Sequence, residues 1–196
     1  MCMQWNPSIE VEGAHGTREV SLSTHLLMGR KIFLTGEIEM DMASVFAAQL
    51  LYLESESDEP VTIYINSPGG EVNAGLLIYD VIQGSSLTVN LVCMGMAASM
   101  AAIILCGGQK GRRYILPHSK VMIHEPLLSK GVGGSATSIR HISESIIETR
   151  DMLSDILSKH TGRAVEEINE AISYDNFMDA EKAIDFGLCD KIVPHI

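Results

Sequence analysis

No Lys/Arg run in this chain exceeds two residues, and 14 basic side chains face 25 acidic ones, for a net charge of −11. Most of such a surface repels nucleic acid and anionic membranes, so neither is an expected partner. Cysteine is sparse as well. Cys2, Cys93, Cys106 and Cys189 stand far apart, with no C-x-x-C pair and no metal-type spacing. Three of them lie in apolar stretches, which reads as buried free thiols in a reducing cytosol. The start, Met1-Cys2-Met3-Gln4-Trp5-Asn6-Pro7, lacks the basic residues and apolar core of a secretory signal, so the expected location is cytoplasmic. There is no linker, repeat or low-complexity tract. One long apolar stretch, Leu87 to Cys106, raises the question of a membrane helix. Asn90, Gly95 and Ser99 interrupt it, and a β-type half precedes an Ala/Met-rich half. A buried strand feeding a buried helix explains it better.

What is present suits one globular domain: 196 residues, 46% hydrophobic and 20% charged. Residues 1–20 are polar and weakly patterned and read as an N-terminal arm; residues 21–196 read as a single domain. Short β-type runs then alternate with helical patterns. Strands are expected at Lys31–Leu34, Val61–Asn66, Thr88–Met94, Arg113–Leu116 and Lys120–His124. Helices are expected after Asp41 as cap, at Asn73–Gln83, and at Ala97–Leu105. This order argues for an α/β fold with helices covering a sheet. Ser135–His160 breaks the alternation, because it predicts a helix of about 26 residues, or about 39 Å. It follows the flexible Gly131-Val132-Gly133-Gly134 and stops at Gly162. Its stripe of Ile142, Ile146, Ile147, Leu153, Ile156 and Leu157 exceeds what a small domain needs for its own core. The segment from about 132 to 160 is therefore expected to project as an oligomerisation handle.

Chemistry has few obvious carriers. Gly95-Met96-Ala97-Ala98-Ser99-Met100-Ala101 sets a serine among small residues at a strand-to-helix junction. There a hydroxyl lies near the positive end of a helix dipole and near backbone N–H groups able to stabilise an oxyanion. Taken alone, the stretch is explained more simply by a serine capping a helix. Ser67-Pro68-Gly69-Gly70 offers a second set of backbone donors, or an ordinary turn. His124 ends the apolar run Val121-Met122-Ile123 and precedes Glu125-Pro126, a setting that also suits a satisfied core histidine. His15, His25, His141, His160 and His195 read as surface residues and His118 as a turn residue. Nothing local marks Asp175 among the 25 acids.

Together these pieces are distinctive. The SPGG loop, Gly95–Met100, Met122-Ile123-His124 and the closing Asp175-Asn176-Phe177, Asp179-Ala180-Glu181, Ala183 and Gly187-Leu188 resemble the ClpP family of serine peptidases over about residues 18–193. The resemblance implies Ser99 as nucleophile, His124 as general base, Asp175 as orienting acid, and the backbone N–H groups of Gly70 and Met100 as oxyanion donors. It implies a crotonase-like α/β head with the long helix projecting from it. It also implies two stacked heptameric rings enclosing a chamber, fed with polypeptide by an AAA+ unfoldase that consumes ATP, the chain itself binding no cofactor and no metal.

The sequence also departs from that family pattern. Glu125 stands where the family usually has Gln, and Ser173-Tyr174 where it often has an acid–Arg pair coupling ring contact to the active site. Thr62 and Gly84 occupy positions where aromatic side chains commonly receive unfoldase loops; Tyr64 is kept. Two other readings remain. One is a weakly active or structural ring subunit working with an active paralogue. The other is a crotonase-type acyl-CoA enzyme, which has no need of Ser99 and His124 together.

Overall fold

A computed structural model describes residues 7–13, 16–128 and 133–194. Cys2, His15, His195, the Gly131-Val132 half of the glycine segment and the first six residues lie outside the described residues. The described part of the arm is a β-hairpin rather than unpatterned chain. Strands β1 (Ser8–Gly13) and β2 (Gly16–Ser21) pair antiparallel, with Ile9 opposite Val20. Helix α1 (Leu22–Met28) follows at once, its first turn capped by Ser21 Oγ, which accepts from the Thr24 N–H at 3.1 Å.

The body is one mixed sheet with helical crossovers. Strands β3 (Lys31–Thr35), β4 (Val61–Ser67) and β5 (Val89–Ala98) lie side by side and parallel. Helices α2 (Met40–Glu56) and α3 (Val72–Gly84) connect them. Strand β4 is central and buried at Val61, Ile63, Tyr64, Ile65 and Ser67, the near-continuous apolar run of a strand covered on both faces. Helix α4 (Met100–Cys106) is buried at every residue. It is held close to α3 by Gly75, where a Cβ would come within 2.6 Å of Met100 Cε.

Beyond β5 the sheet divides. Strand β6 (Arg113–Ile115) pairs with Leu91–Cys93, and β7 (Lys120–Ile123) with Met96–Ala98 of the same β5 strand. Helices α5 (Ala136–Thr161) and α6 (Val165–Ile172) intervene before β8 (Asn176–Met178), which runs antiparallel to β7. Helix α7 (Ala180–Phe186) then leads to β9 (Lys191–Ile192), parallel to β6.

The elements agree with the expected α/β order, with informative differences. The apolar stretch after Thr88 does not divide at Ala97. Its strand runs on to Ala98 and the helix starts at Met100, because the Met96–Ala98 backbone pairs with β7 and overrides the helical preference of its alanines. Glu39, not Asp41, holds the N-cap position of α2. The long helix has the expected 26 residues and ends at Gly162 in the left-handed region, φ 81°. Only its C-terminal half contributes buried side chains, Leu153, Ser154 and Leu157, while Ile139 and Ile147 are exposed. His160 is not a surface residue. It is half-buried, with Nε2 2.8 Å from Tyr79 Oη, and burial together with Lys159, Arg113 and Lys110 holds its pKa below the ordinary value. Among the described residues Cys93, Cys106 and Cys189 are buried free thiols, and burial pushes Cys93 and Cys106 up to about 12. Such groups are inert at neutral pH. No helix among the described residues is long and apolar enough to cross a membrane.

One buried ion pair ties the far edge together. The Arg113 side chain, 2% exposed, donates to Asp190 Oδ1 at 2.6 Å and Oδ2 at 3.0 Å, and to the carbonyls of Cys106 and Gly187. Asp190 also accepts from the backbone N–H groups of Gly111 and Arg113. Burial alone would raise the Asp190 pKa, but these donors outweigh it and hold the carboxyl below the usual range.

Asp190→Asn leaves Arg113 charged, buried and short of an anion, so the variant is expected to lose about 3–5 kcal/mol in chemical denaturation. Because the folded-state pKa is depressed, the pair's stabilisation is present above the ordinary carboxylate value, about 3.9, and lost as pH falls through the lower folded value. The stability gap between wild type and Asp190→Asn should therefore close in strong acid; a gap constant down to the folded-state pKa and below it would contradict the assignment.

Candidate active site

Strand register brings three distant segments to one point. Ala98 is level with Met122 in the parallel β5–β7 pair, and the Ser99 N–H donates to the Met122 carbonyl at 2.9 Å. The chain therefore carries Ser99 past the end of β5 just where β7 runs on to His124. In the antiparallel β7–β8 pair Asn176 faces Ile123, so Asp175 comes beside His124. Backbone contacts hold the arrangement: Glu125 N–H donates to the Ile172 carbonyl at 2.8 Å, and Asn176 Nδ2 to the Ala171 carbonyl at 3.1 Å.

Ser99 has φ 53° and ψ −124°, and with Arg30 it is one of two non-glycine residues at positive φ among those described. Such a conformation costs of order 1–3 kcal/mol and persists only where surroundings enforce it. It marks a sharp strand-to-helix turn that lifts the side chain out of the helix end. The helix-cap explanation fails here, since Ser99 makes no side-chain cap hydrogen bond. Its Oγ lies instead 2.9 Å from His124 Nε2. On the other side of the ring, His124 Nδ1 is 3.3 Å from Asp175 Oδ1. At that distance the two groups touch without hydrogen-bond alignment, and the buried Nδ1 has no hydrogen-bond partner among the described residues. Asp175 is 64% exposed and His124 15%, so the acid sits at the rim and the imidazole within. The structure thus brings Ser99, His124 and Asp175 together, the first two closely and the third loosely.

The SPGG loop closes on the same spot. Ser67 Oγ accepts from the Gly69 N–H at 3.0 Å and folds the turn. Gly69, at φ 93°, passes so near the elbow that a Cβ would stand 2.6 Å from Ser99 Cβ and 3.1 Å from the Met100 nitrogen. Gly70 bridges Ile38, whose N–H donates to the Gly69 carbonyl at 2.8 Å, and a Cβ on Gly70 would collide with the Ile38 carbonyl. Gly70 and Met100, the two donors that the resemblance implies, line one cleft with Ser99.

Around this pair opens a cleft of about 320 Å³. Met100, Ile103, Ile123, Leu153, Leu157 and Ile172 give it an apolar depth, and Val72, Pro126 and Leu127 line it further. Glu37 and Glu71 also line it, and sequence reading passed over both, because an acid in a polar loop carries no local mark. A shallow cleft elsewhere, of about 380 Å³, holds Thr62 and Tyr64 with Asn90, Val92, Arg112, Tyr114 and Val193. Tyr114 supplies a second aromatic ring there beside Tyr64, and Gly84 is not part of that lining. Among the described residues no group of three or more His, Cys, Asp or Glu is arranged to hold a metal ion. In comparison with known families, the Clp protease family model matches residues 14–195.

The close approach at Gly69 is open to measurement. Gly69→Ala combines a positive φ with a Cβ overlap against backbone and the elbow, so it is expected to cost at least about 1–2 kcal/mol of stability. Gly84→Ala, where nothing lies within 4 Å of a new Cβ, serves as control and should be neutral or stabilising. Equal melting temperatures for the two variants would refute the crowding argument.

Proposed function

The chain belongs to the Clp protease family, and from that membership we propose that it is the serine endopeptidase subunit of a ring-shaped protease that cuts unfolded polypeptides into short peptides. The observation carrying this reading is the strained Ser99 with its Oγ 2.9 Å from His124 Nε2. A serine hydroxyl is too weakly acidic to attack a peptide carbonyl unaided. In the proposed reaction His124 takes the Ser99 proton as Oγ bonds to the scissile carbon. The oxyanion is held by the N–H groups of Gly70 and Met100. His124 then hands its proton to the leaving amine, giving an acyl-enzyme. Water, deprotonated by the same imidazole, hydrolyses the ester and returns Ser99. Asp175 fixes the imidazole tautomer once its contact with Nδ1 shortens to a hydrogen bond.

The exposed N-terminal half of α5, with Ile139 and Ile147 exposed and Ile142 and Ile146 half-buried, supports a role as a handle between two heptameric rings. The cleft around Tyr64 and Tyr114 is the proposed seat for a loop of an AAA+ unfoldase that spends ATP; the chain itself takes no cofactor. A second reading is a weakly active or structural subunit paired with an active paralogue. The unaligned contact of His124 Nδ1 with Asp175 favours it.

Two experiments test these readings. A fluorophosphonate should add one label per subunit at Ser99 by intact mass, and Ser99→Ala should abolish both labelling and peptide hydrolysis, a loss of about 10⁴–10⁶ in rate. Retention of even a tenth of turnover would rule Ser99 out as nucleophile. A purified homo-oligomer that takes the label but cleaves only when mixed with a paralogue would favour the second reading. For assembly, charges at Ile142 and Ile146 should convert the large particle to single rings or monomers in sedimentation, and an unchanged particle would remove α5 from the ring interface.

A further inference from the structure

The cleft around Ser99 is apolar in its depth and acidic at its edge, and the acids come from two chain segments locked side by side. Ile38 and Gly70 form a parallel bridge, with the Ile38 N–H donating to the Gly69 carbonyl and the Glu71 N–H donating to the Ile38 carbonyl, both at 2.8 Å. The residues next to the bridge, Glu37 before Ile38 and Glu71 after Gly70, both line the cleft. Each is exposed, and among the described residues neither carboxylate has a hydrogen bond or ion pair. Among the described residues no lysine or arginine lines the cleft. Two carboxylates thus line the cleft with no cation beside them among the described residues. They do not themselves define the site, which rests independently on the Ser99–His124 pair.

We propose that Glu37 and Glu71 are specificity-determining residues that select polypeptides bearing a lysine or arginine within two residues of the scissile bond, with an apolar side chain in the deep pocket. The inference rests on the peptidase reading and deepens it. Gly70 joins the two acids, and its N–H is the proposed oxyanion donor, so a carbonyl held there brings its neighbouring residues alongside them. Successive side chains of an extended peptide are about 3.3 Å apart along the strand and point to opposite faces. A chain that buries one apolar side chain in the cleft therefore turns an adjacent one outward, within reach of a rim. Exposed ion pairs contribute little each, so the two carboxylates together favour a basic residue about three- to tenfold over a neutral one. They disfavour an acidic residue by like-charge repulsion. Salt screens interactions at such a rim, so the preference weakens with ionic strength.

The test uses the assembled protein and internally quenched peptides with a fixed apolar residue before the cut. Lysine, glutamine or glutamate is placed at each of the flanking positions. The reading is the ratio of kcat/KM for lysine over glutamine peptides within each protein, which cancels any general loss in a variant. Wild type should show a ratio of about three to ten at one position or two adjacent ones, falling toward one in 0.5–1 M salt and in the Glu37→Gln, Glu71→Gln double variant. A wild-type ratio near one, or a ratio that survives in the double variant, overturns the proposal. Fluorophosphonate labelling separates the two levels of argument. Labelling at Ser99 together with cleavage and no basic preference defeats this inference alone, whereas absence of labelling defeats the peptidase reading and this inference with it.

Discussion

Strand β5 changes partner halfway along, and the candidate site exists because of that change. Its first half pairs with β6 and its second with β7, and Ser119 ties the switch: its Oγ donates to the Cys93 carbonyl at 3.2 Å and accepts from the Gly95 N–H at 2.8 Å. Gly95 itself has φ 102°, and a Cβ there would lie 2.8 Å from Asn66 Oδ1. The turn thus admits only glycine comfortably, on grounds of both dihedral and space. Once β7 is paired to the end of β5, the serine that follows β5 and the histidine that follows β7 are brought together by register. Backbone hydrogen bonds set the position of Ser99 and His124, so their 2.9 Å contact does not depend on flexible side chains finding each other.

The third member is held differently. Asp175 depends on a three-residue strand, β8, and on the end of α6, and it lies largely in solvent. Fewer backbone contacts and weak burial explain why its approach to Nδ1 stops at 3.3 Å without alignment. Among the described residues the buried charged side chain is Arg113, whose pair with Asp190 joins β6 and the segment before β9. That pair has a scaffolding place: it gathers the ends of α4 and α7 through the carbonyls of Cys106 and Gly187. Burial of an ion pair is costly unless its remaining donors are satisfied, and here they are.

Much of the fold was legible because each signal was local. The runs Lys31–Leu34, Val61–Asn66 and Lys120–His124 are strands within a residue of their expected ends, since β-rich apolar runs bounded by polar turns can bury themselves only in a sheet. The 26-residue helix was legible for the same reason, its stripe and its terminal glycine both being written locally. Other elements were not: β8 and β9, of three and two residues, take their form only from pairing with β7 and β6. His160 was misjudged as surface because its partner, Tyr79, lies 81 positions away.

The amino-acid sequence by itself marked Ser99, His124 and Asp175 as candidates, through the resemblance that they and the SPGG loop carry together, and it pointed to the α/β class. Spacing along a chain, however, holds no distances. Only the tertiary structure decided that Ser99 is a strained elbow rather than a helix cap, because that depends on the Met122 carbonyl claiming its N–H and on Gly69 pressing against its Cβ. It alone set Glu37 and Glu71 on one wall, since their proximity is made by the Ile38–Gly70 bridge between segments more than thirty residues apart. Local preferences pass along the chain, whereas a site is assembled across it by hydrogen bonds that no single segment encodes.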